Sequence, residues 1–150
     1  MIIRSGLVIG ESGDSLYHRM CEMVRSSKVI PLFGGGHQPI QTVRVEDLCR
    51  AIQAALEKNL AGLFTLADPT VLEMQQLLRG IARRLGKRPI FVPFPMAPAL
   101  VALKLIEAMR LPFPVSSENL IGMKCLRATD TTPDWARLGL RTEDRPVLPP

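Results

Sequence analysis

The first ten residues limit the fold more than any other stretch. Ile2-Ile3-Arg4-Ser5-Gly6-Leu7-Val8-Ile9 is short, rich in β-branched and aliphatic residues, and closed by Gly10. It lacks the alternation of a half-solvated strand, so it predicts a strand buried on both faces, the kind found inside parallel sheets. Such a strand needs neighbours on both sides, and the expected class is therefore α/β. With 150 residues the chain is long enough for one domain with a real core, and residues 1–150 are expected to form it.

The rest of the chain supplies alternating helical and strand patterns. Asp14 or Ser15 can cap a helix running to about Ser27, with Leu16, Met20, Met23 and Val24 on one face. Residues 31–39 read as a short strand and a glycine-rich turn, and residues 41–45 as the next strand. Glu46 and Asp47 then fall in the first turn of a helix, where carboxylates suit the dipole, ahead of an apolar stripe of Leu48, Ala51, Ile52, Ala55 and Leu56. After a strand over 62–67, Thr70-x-x-Glu73 is a capping box for a helix with Met74, Leu77, Leu78, Ile81, Ala82 and Leu85 inward, ended by Gly86. Ile90-Phe91-Val92 predicts a brief strand between prolines.

Residues 96–111 predict a very apolar helix whose polar stripe is Lys104, Glu107 and Arg110. It is too short and too charged to cross a bilayer. Its polar stripe is too thin for an ordinary interfacial helix, so it is expected to wall a groove or the core. Pro112 and Pro114 end it, a short helix starts near Ser116 or Ser117, and a last helical turn falls around 135–138 in an otherwise irregular tail.

Charge is unevenly placed. Residues 1–78 hold seven basic and eight acidic side chains, residues 79–150 twelve and six. Arg79, Arg83 and Lys87 share one helix face, beside Arg84 and Arg88. No aromatics interleave with them, so a solvated helix face is expected and nucleic acid is not an expected partner. Cys21, Cys49 and Cys125 are odd in number and form no CxxC, which indicates neither a disulfide framework nor a zinc site and points to a reducing compartment. Cys21 and Cys49 lie on or beside apolar stripes and are expected to be buried and inert. The opening residues lack the long apolar core of a secretory signal, and the expected location is cytoplasmic.

Few residues are candidates for chemistry. His18 and His37 are the only histidines, which excludes a histidine-rich metal site, and no metal ligands are assigned. His18 sits mid-helix with no carboxylate partner in view. His37, in the glycine-rich turn with Gln38, is polar and placed to contact a ligand. Gly34-Gly35-Gly36 is followed by Pro39 and a strand, whereas a phosphate-binding loop leads into a helix N-terminus, so the glycines are expected to serve a turn of positive φ. Glu46 and Asp47 point about 100° apart on a helix and make a poor acid and base pair. No catalytic residue is assigned.

The order of these pieces is more informative than any one of them. The strand ending Arg4-Ser5-Gly6-Leu7-Val8-Ile9-Gly10, the turn Phe33-Gly34-Gly35-Gly36, and Val43-Arg44-Val45-Glu46-Asp47-Leu48 together resemble the second half of an extended short-chain dehydrogenase/reductase of the NAD-dependent epimerase/dehydratase group. The likeness continues through 62–68, the helix ending Leu85-Gly86-Lys87, and Trp135-Ala136-Arg137-Leu138-Gly139-Leu140. The nearest branch is the atypical one that includes the nucleotide-binding accessory subunit of respiratory complex I.

That resemblance implies a partial Rossmann-like C-terminal half with short strands and several packed helices. It implies NAD(P) for a full-length relative, with Ser5, Gly6 and Leu7 bordering the nicotinamide, although Ser5 stands where the family usually has Pro. Arg44 stands where His is usual and, with His37 and Gln38, is assigned to the substrate. Val45 and Asp47 would anchor the following helix. Ile40 replaces the Arg that sugar-nucleotide enzymes often carry, which disfavours a nucleotide sugar, and the apolar helix over 96–111 suggests a small apolar substrate. The family's GxxGxxG loop and Tyr-x-x-x-Lys pair are absent here: Tyr17 is the only tyrosine and position 21 is Cys21.

The expectation is a substrate-binding segment that is catalytically incomplete and holds no cofactor alone. A homo-oligomer or a missing N-terminal half would cover its cut sheet. The alternative is a stand-alone module for a small ligand or a partner protein.

Overall fold

The computed structural model describes residues 1–10, 15–109 and 117–140. Within them the strands are β1 (Ile2–Ser5), β2 (Leu7–Ile9), β3 (Val29–Phe33), β4 (Pro39–Ile40), β5 (Thr42–Arg44), β6 (Leu63–Leu66), β7 (Leu72–Glu73) and β8 (Ile90–Phe94). The helices are α1 (Leu16–Ser26), α2 (Val45–Glu57), α3 (Met74–Arg84), α4 (Met96–Ala108), α5 (Ser117–Lys124) and α6 (Thr132–Leu138). β1 pairs with β6, β2 with β5 and β3 with β8, all parallel, while β4 and β7 are antiparallel. The chain is α/β, as its opening residues require.

The predicted strand over 2–9 is in fact two strands. At Gly6 the chain changes partner: the Gly6 N–H donates to Leu66 O at 2.9 Å and the Leu7 N–H to Gln41 O at 2.8 Å. A Cβ at Gly6 would lie 2.5 Å from Gln41 O and 2.8 Å from Ala67 Cβ, so only glycine fits where the three segments meet. Burial also differs from expectation. Ile9 is buried, but Ile2, Arg4 and Ser5 are exposed, and among the described residues β1 is paired along one edge only.

Two apolar cores result. In the first, α1 and α3 cover β3 and β4, and Tyr17, Val24, Ile30, Leu32, Leu77 and Ile81 are buried together. In the second, α2 and α6 cover β5 and β6 through Val43, Ala51, Ala55, Phe64, Leu66 and Trp135. A small contact of Ala99 with Leu120 joins α4 to α5.

Several helical expectations need adjustment. Ser15 caps α1, its Oγ accepting the His18 N–H at 3.2 Å; Asp14 lies outside the described residues. Tyr17 is the buried residue of the first turn and Leu16 is exposed. On α2 the buried line is Ala51 and Ala55, whose small side chains bring the helix close to the sheet, and this turns Ile52, Leu56 and Cys49 outward. The thiol of Cys49 is therefore exposed, contrary to expectation, whereas Cys21 is half-buried.

The start of α3 shifts from Thr70 to Glu73, whose N–H donates to Gln76 Oε1 at 2.9 Å. Residues 72–73 are taken by β7 before the helix can begin. Gly86 follows it with φ +62°. The predicted end of α4 at 110–111, Pro112, Pro114 and Ser116 lie outside the described residues.

The segment after α5, expected to be irregular, is fastened to the sheet. The Gln41 amide donates to Thr129 O at 2.8 Å and accepts the Thr129 N–H at 2.8 Å. Thr131 Oγ1 and Trp135 Nε1 both donate to Ala67 O, at 2.7 and 2.8 Å.

Candidate functional site

The sequence-predicted residues fall at two places. The first is the glycine-rich turn between β3 and β4, where Gly34, Gly35 and Gly36 all have positive φ, as expected. The tight bend leaves Gly36 against α3: a Cβ there would lie 2.9 Å from Gln75 Cβ. It also presents His37 to the start of α3. His37 Nδ1 lies 3.3 Å from Glu73 Oε1 and 3.4 Å from Gln75 Nε2, and Gln75 Nε2 donates to Glu73 Oε2 at 2.5 Å. All three side chains reach solvent at least in part. Gln38 turns the other way, its Nε2 donating to Phe33 O at 2.6 Å, while its buried Oε1 has no hydrogen-bond partner among the described residues.

Glu73 and Gln75 are functional candidates that sequence reasoning missed. Glu73 was assigned to a capping box, and 36 residues separate it from His37. The Gln75 amide, and secondarily His37, hold the Glu73 carboxyl below the usual carboxylate range. A depressed folded value means that the ionised form supports the folded turn above the unfolded value, and that this support is lost as pH falls through the folded one. Gln75→Ala should therefore move the Glu73 carboxyl upward in an NMR titration. An unmoved value would show that the amide is not the cause.

The second place is the β1–β2 junction. Ser5 is exposed at the end of β1, Gly6 marks the change of partner, and Leu7 stands opposite Thr42. Arg44 is two rungs further along the same ladder, opposite Ile9, and its Cα begins α2 as the N-cap. The ladder thus brings Leu7 and Arg44 onto one short sheet, with Asp47 in the first turn of α2 just beyond.

β1 has an asymmetric setting. Ile2 and Gly6 donate to Gly62 O and Leu66 O, so the N–H and C=O groups of Ile3 and Ser5 point to the opposite edge, where no strand pairs among the described residues. The far edge of β6 is covered instead: Asp134 Oδ2 accepts the Thr65 N–H at 2.8 Å, and the Arg137 guanidinium lies 4.3 Å from the Phe64 ring centroid. Among the described residues, one side of this ladder is closed by α6 and the other is bare.

Tyr17 is remote from both places. It is buried between α1 and α3, its hydroxyl accepting from Arg84 Nη1 at 3.3 Å, and burial pushes the phenol above its ordinary value. It is a core residue. Among the described residues no group of three or more His, Cys, Asp or Glu could hold a metal ion.

No family model matches the chain. The mitochondrial NADH dehydrogenase [ubiquinone] 1 alpha subcomplex subunit 9 of Arabidopsis thaliana is 27% identical over 153 residues, an alignment that takes in 99% of this chain. Among solved structures, TunA, an NAD-dependent NDP-hexosamine 5,6-dehydratase involved in tunicamycin biosynthesis, superposes with a TM-score of 0.61 at 18% identity over 97% of this chain. The UDP-glucose 4-epimerase of Thermus thermophilus, solved with NAD, does so with a TM-score of 0.53 at 22% identity over 79%.

The chain is similar in sequence to that plant subunit and in fold to these two enzymes. Its Rossmann-like relatives are much longer: it spans 38% of the plant subunit, 41% of TunA and 43% of the epimerase. No helix among the described residues is long and apolar enough to cross a membrane.

Proposed function

We propose that this chain is the substrate-binding part of an NAD(P)-dependent epimerase/dehydratase-like protein and that it is catalytically incomplete alone. The observation that carries this reading is the bare edge of β1, beside which Ser5, Gly6 and Leu7 lie. Parallel strands are ordinarily flanked by others, and a cofactor-binding portion adding a strand there would bring a dinucleotide to these three residues. His37 and Arg44, with Glu73 and Gln75, would face the substrate, while Gln38, turned inward onto Phe33 O, would hold the turn that presents His37. The length of the relatives supports the same reading, since this chain spans about two-fifths of each.

Isothermal titration of the 150-residue chain with NAD and with NADP tests it. Neither dinucleotide should bind with measurable stoichiometry; tight one-to-one binding of either would show that the dinucleotide site is already complete. Until the bare edge is covered, self-association is the available remedy. Light scattering should show a particle larger than the 16.6 kDa chain at high concentration, and a clean monomer throughout would count against an edge in need of a partner.

A further inference from the structure

The contacts of the glycine-rich turn fix the protonation pattern of one ring. His37 Nδ1 lies 3.3 Å from Glu73 Oε1 and 3.4 Å from Gln75 Nε2, and these two neighbours ask opposite things of it. An unprotonated Nδ1 would set its lone pair against a carboxylate oxygen, whereas a protonated one donates to that oxygen. The Gln75 amide already donates to Glu73 Oε2 at 2.5 Å, its shorter contact, and together with the ring it favours the ionised carboxyl. An ionised acceptor beside Nδ1 decides between the tautomers: the neutral ring carries its proton on Nδ1 and a lone pair on Nε2. Free histidine favours the opposite tautomer, so the fold imposes this one.

The lone pair is also kept open. The His37 side chain is 67% exposed, and its Cδ2–Nε2 edge lies against Gly35, where a Cβ would come within 2.8 Å of Cδ2 and 3.0 Å of Nε2. Gly35 has φ +75°, so both the backbone conformation and the ring keep a side chain out of that space. The turn follows the carboxyl end of β3, which pairs in parallel with β8. In open α/β sheets, ligands bind beyond the carboxyl ends of the strands. Glu73 is itself held at two points, its N–H donating to Gln76 Oε1 at 2.9 Å and its carboxylate accepting from Gln75.

We propose that Glu73 positions His37 so that Nε2 accepts a hydrogen bond from a hydroxyl group of the substrate. This rests on the substrate-binding reading above and gives that substrate a chemical class, an alcohol. A carbonyl oxygen has no proton to offer a lone pair, so the turn binds the alcohol in preference to the corresponding ketone. His37 is the group that touches the ligand, Glu73 and Gln75 hold its ring, and Gly35 leaves room for the hydroxyl.

Long-range proton–nitrogen correlation spectra of the whole chain, recorded at a pH where imidazoles are neutral, test this. His37→Asn assigns the signals, because His18 is the only other histidine. The His37 ring should show the Nδ1–H tautomer, and Glu73→Ala should return it mainly to Nε2–H. Phenol, a hydroxyl probe, should shift the wild-type Nε2 resonance, whereas anisole, its methyl ether, should leave it in place. The phenol response should be lost in Glu73→Ala. Should that variant fail to fold by circular dichroism, the wild-type tautomer and the two probes still decide. A wild-type ring with its proton on Nε2, equal responses to phenol and anisole, or no response to either overturns the proposal. The dinucleotide titration reads the parent proposal separately: tight binding of NAD by a chain with the expected ring signals would end the claim of incompleteness and leave this one standing.

Discussion

Trp135→Ala should lower the free energy of unfolding by about 3–5 kcal/mol, the range for removing a large buried aromatic. Trp135 is 4% exposed and sits in the second core with Phe64, Leu66 and Leu138. Its Nε1 also donates to Ala67 O, the acceptor that Thr131 uses. Truncation removes the ring and loosens α6, which closes the far edge of β6. The measurement is urea denaturation followed by circular dichroism, because Trp135 is the only tryptophan and its fluorescence disappears with it. Trp135→Phe keeps most of the apolar volume and should cost only about 1 kcal/mol for the lost hydrogen bond. If the alanine variant lost no more than the phenylalanine one, α6 would not be docked as described.

Gly6→Ala should also be costly, at the upper end of the roughly 1–3 kcal/mol range for overpacking. The added methyl meets Gln41 O, a backbone atom, at 2.5 Å. Gln41 cannot retreat easily, because its amide is fixed to Thr129 and to Asp68 O. The same substitution at Gly122 meets nothing within 4 Å in α5, and there it should stabilise by up to about 1 kcal/mol through helix propensity. Opposite signs for two identical substitutions, read from denaturation midpoints, check the argument. Equal effects would show that the crowding at Gly6 is not real.

Patterns local to one element were legible in the sequence. Leu77, Leu78 and Ile81 point inward on α3, Gly86 takes the left-handed conformation after it, and Gly34 to Gly36 make a turn of positive φ. What escaped was set by residues distant in the chain. The split at Gly6 depends on Gln41 and Ala67, the late start of α3 on pairing between β4 and β7, and the partners of His37 on residues 36 and 38 positions away. Periodicity gives a helix an apolar face but not its rotation: alanines on α2 turned Ile52 and Leu56 to solvent. On α4 nearly every position is apolar, so its pattern could not say which side would be left uncovered.

The blocking of β6 by Asp134 and Arg137 limits how far copies of this molecule can join. Runaway stacking into filaments needs a growing end at each margin of the ladder, and here one margin already carries a plug. A strand that arrives beside Ile3 and Ser5 therefore completes the ladder and terminates it. Association through this edge should yield small closed species, and release of the plug, as by Trp135→Ala, should open a route to fibrous aggregates.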